Sequence, residues 1–194
     1  VGALDQTPAL RRPLVPLSEA VHERVMIEVM RGCPNACRFC QAGATGKPVR
    51  IRSVEEIVSI ARDAVEATGY REISLLSLST SDYPHLDELI GRLHETFADR
   101  HVSVSLPSLR VDAQLRHLPK LASKVRKPGL TIAAEAGSER LRAAIRKDIT
   151  EEDMVLGVRA AFEAGFRSVK VYFMAGLPGE TEEDLDAIVR LCRR

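Results

Sequence analysis

The sequence predicts an α/β fold in which parallel strands alternate with helices. Two observations predict it. Five short runs of apolar and β-branched residues recur along the chain, as expected for strands buried in a parallel sheet. Amphipathic segments with capping residues at their ends separate these runs. Because crossovers between parallel strands are right-handed, the helices lie outside a sheet that is either open or curved into a partial barrel.

The predicted strands follow one another at intervals that leave room for a helix between each pair. They are Val25–Met30, Ile73–Leu78, Val102–Leu106, Leu130–Ala134 and Val169–Met174. Active sites in folds of this kind lie at the carboxyl ends of the strands. The segments that follow the strands are therefore the candidates for chemistry.

The helices are predicted from residues that mark their ends. Ser53 and Glu56 form a capping-box pattern ahead of one helix, and Gly69 suits its exit. Thr150 begins another helix, which ends at Gly165. The other predicted helix starts are Asp82 with Pro84, Asp112, and Thr181.

Composition narrows the class of protein. The chain has 194 residues, enough for one ordinary domain with a core, and 45% of them are apolar, which excludes a disordered chain. The formal charge of +1 gives no overall argument for a nucleic acid or an anionic membrane as partner. No apolar run approaches the ~20 residues that span a bilayer, and no secretory leader is visible, so we expect a cytoplasmic protein without membrane attachment.

The sequence predicts two segments of different character. Residues 1–23 carry three prolines and lack sustained periodicity, so we expect a linker or the edge of a preceding module. Residues 24–194 form the predicted core. The chain begins at Val1 without a methionine and stops at Arg194 inside a helical pattern, so we expect a fragment of a longer protein.

Three cysteines follow the first predicted strand with the spacing Cys-x3-Cys-x2-Cys. Cys33, Cys37 and Cys40 lie within eight positions, which favours metal ligation in a reducing compartment over a disulfide framework. Three thiolates suit a cubane iron–sulfur cluster whose fourth iron stays open. The alternative is a structural zinc site, which needs a fourth ligand. His22 is a candidate for that ligand, whereas Cys192 is expected to lie elsewhere.

These cysteines and the segments after the second, fourth and fifth predicted strands resemble the radical SAM superfamily. Five stretches resemble its cobalamin-associated branch more narrowly, namely RGCPNACRFCQAG, GYREISLLSLSTSDY, VSVSLPSLR, AAEAGSERLR and KVYFMAGLPGETEED. The resemblance implies a partial (β/α)6 barrel, of which five βα units are present and the sixth strand is missing. It implies that Cys33, Cys37 and Cys40 ligate a [4Fe-4S] cluster and that S-adenosylmethionine binds the open iron. Electron transfer then cleaves the sulfonium to a 5′-deoxyadenosyl radical, and backbone near Phe39 approaches the adenine.

The resemblance also implies cofactor contacts after the second strand. Ser79 and Thr80 occupy the place where the family contacts the amino group of the cofactor. The sequence SLSTSD departs here from the GGE-like motif of the family, although small hydroxyl residues and one carboxylate suit the same task. The alternative for Asp82 is a role as helix N-cap.

After the fourth strand, Glu135 and Ser138 stand where the family binds the ribose or methionyl part of the cofactor. A carboxylate after an apolar strand is costly unless it is paired, which favours a functional role for Glu135. Lys147 lies twelve residues further on and resembles a basic residue that pairs with the cofactor carboxylate in some members. The alternative for Lys147 is the solvated end of a helix.

The stretch after the fifth strand resembles the adenine-binding segment of the family, written GxIxGxxE, in a variant that ends GxPGET. Met174 takes the apolar position of that motif, and Gly176 lets the backbone approach the purine. More narrowly, the chain resembles a cobalamin-associated branch, an uncharacterised bacterial subfamily whose longer members carry a cobalamin-binding-type module ahead of the barrel.

The sequence therefore predicts an enzyme that cleaves S-adenosylmethionine to modify or methylate an unknown substrate. The implied partners are an electron donor such as flavodoxin or ferredoxin and the N-terminal module, which would bring cobalamin. One alternative is a methylthiotransferase-like enzyme acting on tRNA or a ribosomal protein. Another is a non-catalytic zinc or iron–sulfur binding protein. A solvated helix face, with contact to RNA as its alternative, is predicted at Lys120, Lys124, Arg126 and Lys127.

Overall fold

The computed structural model describes residues 4–106 and 129–194 of the chain. These residues form two compact units, and each is described by itself. The first comprises residues 4–34 and 46–106, and the second comprises 35–45 and 129–194. The predicted helix at Asp112 and the basic residues at 120–127 lie outside the described residues.

Seven strands are present in the described residues. They are β1 Val25–Glu28, β2 Met30–Arg31, β3 Arg50–Ile51, β4 Glu72–Leu76, β5 Ser103–Ser105, β6 Leu130–Glu135 and β7 Val169–Phe173. All five predicted strands appear among them, and every long pairing between them is parallel. The predicted α/β class with parallel sheets is therefore confirmed.

Six α-helices connect or follow these strands in the described part of the chain. They are α1 Ala42–Thr45, α2 Val54–Thr68, α3 Leu86–Thr96, α4 Glu139–Ala144, α5 Glu151–Glu163 and α6 Glu182–Cys192, with 3-10 turns at Leu4–Gln6, Thr80–Asp82 and Ala98–Arg100. The structure contains no described helix that is both long and apolar enough to cross a membrane.

The first unit is built on a parallel sheet with the strand order β1-β4-β5. Val25 pairs with Ile73, and Ile73 pairs with Val104, so apolar side chains align on one face of the sheet. That face is buried against α2 and α3. The carboxyl ends of the strands carry the segments that the sequence singles out.

A short antiparallel hairpin follows β1. Met30 pairs with Ile51, and Arg31 pairs with Arg50, so β2 and β3 close the base of a long loop. The cysteines lie in this loop.

The N-terminal residues pack onto the first unit. Leu4 is buried, and the Asp5 carboxylate accepts a bond of 2.9 Å from the backbone N–H of Ser53. Arg11 forms ion pairs with Glu56 and Asp63 on α2. Part of the segment predicted as a linker thus contacts the core, and the predicted boundary at residue 23 stays a prediction.

The second unit contains the parallel pair β6–β7. Leu130 pairs with Val169 and Ala133 with Tyr172, and the register then shifts at a bulge before Glu135. One face of the pair packs against α5, with Ile132 at the centre of the buried cluster. The bulge falls where β6 ends, so it redirects the chain at the site.

Most predicted helix ends are confirmed. Ser53 caps α2 and Gly69 ends it with φ +70°, while Thr150 and Asp153 form a capping box at α5. Gly165 follows α5 with φ +90°.

The N-cap alternative for Asp82 is wrong, because the N-cap position of α3 falls on His85, which makes no side-chain capping bond, and Asp82 lies in a 3-10 turn. The Asp82 amide bonds to the Ser79 carbonyl in that turn. Helix α4 is absent from the sequence prediction. It begins at Ser138, whose hydroxyl accepts a bond from the Leu141 amide, and its six residues are too few to show a clear apolar stripe.

Candidate functional site

The cysteine loop begins at a glycine that no other residue can replace without strain. Gly32 has φ +94°, and a Cβ there would lie 2.0 Å from the carbonyl oxygen of Gly46. The backbone thus turns sharply and closes on itself directly before Cys33, whose side chain is partly buried. The chain leaves the first unit after Pro34 and returns to it at Gly46.

The second half of the loop belongs to the other unit. The Cys40 amide bonds to the Cys37 carbonyl at 3.1 Å, which makes a tight turn around the second and third cysteines. Arg38 lies between them, and its amide donates to the Ile145 carbonyl while its guanidinium donates to the Ala144 carbonyl, both at 2.9 Å. The end of α4 therefore anchors the turn that carries Cys37 and Cys40.

The three cysteines of the loop are thiols, a donor type that an iron–sulfur cluster uses. Within the described residues no three His, Cys, Asp or Glu side chains gather as they would around one metal ion. His22, the fourth ligand of the zinc alternative, has its Nδ1 2.6 Å from the Arg24 guanidinium. The convergence of Cys33, Cys37 and Cys40 on one cluster stays a prediction.

The sequence also singled out Phe39 and Cys192. Phe39 is exposed, at 40% of its surface, and its approach to the adenine stays a prediction. Cys192 lies on α6, where it lines an apolar groove with Val171 and Phe173.

The turn after β4 buries its hydroxyl residues. Ser79 and Thr80 are almost inaccessible, and the Thr80 hydroxyl contacts the Ser77 hydroxyl at 3.1 Å. The Ser79 Oγ is buried and has no hydrogen-bond partner among the described residues. An orphaned buried hydroxyl is uncommon in a native fold, and it suits a place where a polar group of a ligand would supply the bond.

Glu135 and Lys147 form an ion pair that is largely buried. Their Oε1 and Nζ atoms are 3.2 Å apart, and 14% and 8% of the two side chains are exposed. The structure thus brings together two residues that the sequence singled out separately, and the alternative of a solvated helix end for Lys147 is wrong. Burying both charges costs solvation energy that a hydrophobic pair would not. A role of the two residues in cofactor binding stays a prediction.

The backbone at this pair is unusual. Glu135 has φ +69°, in the left-handed region that non-glycine residues avoid, and it lies at the bulge of β6. Its carbonyl accepts a bond of 2.7 Å from the Met174 amide at the end of β7. Strained residues of this kind cluster at functional sites.

Arg142 is a residue that the sequence analysis missed. Its side chain is fully buried and donates from Nε to the Ile149 carbonyl at 2.7 Å and from Nη1 to the carbonyls of Ala136 and Gly137, each at 2.9 Å. Burial lowers the pKa of Arg142 from its usual value. The stretch RLRAAIRK holds three arginines that look alike, so no local pattern distinguishes the buried one.

Asp184 is a second buried charged residue that the sequence did not identify. Its carboxylate accepts bonds from the Ser138 hydroxyl and from the amide and hydroxyl of Thr181, and it pairs with Arg140. These bonds, first that of Ser138, hold the pKa of Asp184 well below its usual range. The Ser138 hydroxyl is thus engaged within the fold, and its contact with a cofactor stays a prediction.

The loop after β7 leaves space beside its backbone. Gly176 has φ +86°, and no atom lies within 4 Å of the position that a Cβ would take. Its amide donates to the Glu180 carboxylate at 2.5 Å, which holds the loop in place. Met174 is partly buried against Leu141 and its neighbours. An open surface of backbone beside an apolar side chain fits a flat aromatic ring.

The chain is similar in sequence to known proteins along most of its length. The family profile described as Radical SAM superfamily matches residues 27–192. The uncharacterized protein MJ0966 of Methanocaldococcus jannaschii is 37% identical over 181 residues, which are 92% of this chain and 39% of that protein. The threonylcarbamoyladenosine tRNA methylthiotransferase MtaB of Treponema pallidum is 27% identical over 89% of this chain and 36% of its own.

Among solved structures, the fold is similar to that of OxsB, a cobalamin-dependent S-adenosylmethionine radical enzyme seen with aqua-cobalamin and S-adenosylmethionine bound. The TM-score is 0.71 at 18% identity, covering 87% of this chain and 26% of that one. The chain thus spans well under half the length of each of these three proteins.

Proposed function

This chain belongs to the radical SAM superfamily, and from that premise we propose that it is the core of an enzyme that modifies or methylates a substrate by radical chemistry. The proposed cofactors are a [4Fe-4S] cluster and S-adenosylmethionine. The observation that carries the proposal is the Cys-x3-Cys-x2-Cys loop inside the matched region, closed at its base by Gly32.

Cys33, Cys37 and Cys40 would hold the cluster, one thiolate to each of three irons. When bound, such a cluster supplies the electron that cleaves S-adenosylmethionine. The residues of this chain contribute by binding and orienting the cofactor. The turn that carries Cys37 and Cys40 is held by Arg38, which supports a role for these two cysteines as ligands.

Glu135 and Lys147 match the zwitterionic end of S-adenosylmethionine in charge. A carboxylate attracts the ammonium group of the cofactor, and an ammonium attracts its carboxylate. Because the pair is largely buried, these attractions are screened less than they would be at a surface. The orphaned hydroxyl of Ser79 is a further candidate partner for the amino group, with Thr80 beside it.

The adenine would lie against Met174 and Gly176. The space beside Gly176 leaves its backbone accessible, and any side chain there would be strained at φ +86°. Backbone near Phe39 completes the proposed adenine contact. The Ser138 hydroxyl donates a hydrogen bond to Asp184, and Ser138 is also proposed as a contact of the cofactor.

The proposed partners go beyond this chain. An N-terminal cobalamin-binding-type module is supported by the likeness of the fold to OxsB, which binds cobalamin. Cleavage of S-adenosylmethionine needs one electron from outside, so a small donor such as flavodoxin or ferredoxin is proposed. A cytoplasmic location stays a prediction.

A methylthiotransferase acting on tRNA or a ribosomal protein is the second candidate. The 27% identity to MtaB over most of the chain favours it. Such an enzyme needs a second cluster or an RNA-binding appendage. Metal analysis of the longer protein separates the two candidate functions, because two clusters give about eight irons whereas one cluster gives about four. The first proposal also expects bound cobalamin.

Anaerobic reconstitution of the chain tests the proposal directly. We expect about four irons per chain, a change in the electron paramagnetic resonance spectrum of the reduced protein when S-adenosylmethionine is added, and release of 5′-deoxyadenosine. One tightly bound zinc per chain without cofactor cleavage would instead establish a non-catalytic metal-binding protein.

A further inference from the structure

Arg142 holds the backbone on both sides of the Glu135–Lys147 pair. The carbonyls of Ala136 and Gly137, which follow Glu135 directly, accept bonds from its Nη1. The Ile149 carbonyl, two residues after Lys147, accepts a bond from its Nε.

The main chain of Arg142 adds a further link. Its carbonyl accepts a bond of 2.8 Å from the Lys147 amide, next to Arg146 at φ +55°. One residue therefore connects the two segments that carry the pair, through its side chain and its backbone.

The cost of burying this guanidinium indicates a specific task. The side chain is 1% exposed, its Nη2 has no hydrogen bond within the described residues, and the Glu139 carboxylate is 4.0 Å away. A buried cation without a close carboxylate is expensive. What arginine offers in return is a planar fork that donates to several carbonyls at once, which lysine does not match.

We propose that Arg142 is a positioning residue for the cofactor, because it fixes the separation and orientation of Glu135 and Lys147. The inference rests on the proposed function of that pair. Without the three carbonyl contacts, the strained backbone at Glu135 and the turn at Lys147 would relax independently. The two charges would then lose the spacing that a zwitterionic ligand requires.

Two measurements on Arg142→Lys test the proposal. Amide hydrogen exchange followed by mass spectrometry reports on residues 135–149 without any cofactor. Calorimetric titration of the reconstituted protein with S-adenosylmethionine reports on binding. We expect faster exchange in that segment and a dissociation constant raised about five- to thirtyfold.

Arg52→Lys is the matched control. Arg52 is also buried and also donates to backbone carbonyls, those of Glu28 and Thr7, in the first unit. It should lower the melting temperature as Arg142→Lys does, but leave binding within about twofold of the wild type.

A double variant separates positioning from general loss of structure. If Arg142 acts through the pair, Arg142→Lys adds less than about twofold to the loss already caused by Glu135→Gln. Full additivity, or unchanged binding in Arg142→Lys, would overturn the inference.

Failure of the proposed function gives a different result. A reconstituted wild-type chain that binds no S-adenosylmethionine overturns that function. The exchange measurement then still decides whether Arg142 fixes the segment, and unchanged exchange overturns its positioning role. If Arg142→Lys does not fold, Arg142→Gln is measured in the same way.

Discussion

The loop after β6 and the cysteine loop are held by different kinds of contact. The loop after β6 is held by hydrogen bonds of two buried charged side chains, Arg142 and Asp184. The second is held by contacts to backbone: the glycine contact at its base, the turn at Cys37, and the exposed Arg38 side chain bonded to the Ala144 carbonyl. The difference shows that one loop depends on buried charged side chains, whereas the other depends on backbone geometry and on a single exposed arginine.

The largest expected effect concerns the cysteines. Each of the changes Cys33→Ala, Cys37→Ala and Cys40→Ala should abolish the intact cluster, because the proposed cluster needs all three thiolates of the loop as ligands. Iron content after anaerobic reconstitution measures this, with Cys192→Ala as the control that keeps the cluster. A full complement of iron in any of the three variants would remove that residue from the ligand set.

Gly32→Ala tests how strongly backbone alone shapes the cysteine loop. The substitution combines a left-handed φ with a clash against the Gly46 carbonyl, so we expect a loss of about 3 kcal/mol or more in the free energy of unfolding. Urea denaturation measures it.

Two other glycines separate the two causes. Gly69 has φ +70° in open space, so Gly69→Ala should cost about 1 kcal/mol. At Gly137 a Cβ would lie 2.4 Å from the Ile188 amide nitrogen, so Gly137→Ala tests the cost of a close contact in the second unit. Equal losses in Gly32→Ala and Gly69→Ala would mean that the contact with Gly46 contributes little.

Glu135→Gln and Lys147→Ala test the proposed cofactor contacts that lie beside the loop after β6. Each should weaken S-adenosylmethionine binding by roughly 1–3 kcal/mol, the usual range for losing a hydrogen bond to a charged group. The control is Glu72→Gln, since Glu72 pairs with Arg24 at 3.2 Å with similar burial but in the other unit. Unchanged affinity in both site variants would defeat the assignment of Glu135 and Lys147.

The smallest effect is a pH dependence from Asp184. Its pKa is lower in the folded chain than in the unfolded one, so its ionised form stabilises the fold above pH about 4, and this stabilisation is lost as pH falls further toward the folded pKa. Asp184→Asn should therefore be less stable than the wild type at pH 7, and the gap should narrow below pH about 4. Thermal unfolding across this range measures the gap, and a gap independent of pH would contradict the role of the charge.

Local signals in the sequence predicted the strands and most helix ends correctly. The apolar runs at β4 and β7 and the cap at Ser53 depend on neighbours within a few residues, so a single sequence shows them. Asp82 misled because the capping preference of an aspartate does not reveal whether a 3-10 turn intervenes.

Part of the site could not be predicted because its contacts are distant in sequence. Asp184 bonds to Ser138 across 46 positions, and nothing near either residue marks the pair. Arg142 contacts carbonyls, which every residue carries, so no partner residue type points to it. Glu135 and Lys147 were identified by resemblance, and the structure supplies the 3.2 Å contact between them.

The hairpin base at β2 and β3 has a consequence for how this protein can vary. The ladder from Met30 to Ile51 and the Gly32 contact already join the two ends of the cysteine loop. Loop-closure entropy grows slowly with length, by about 0.6 kcal/mol for each doubling, so residues gained or lost inside the loop leave the strands undisturbed. Changes in loop length are therefore absorbed at the hairpin base rather than in β1, while the turn at Cys37 and Cys40 keeps its own anchor on α4 through Arg38.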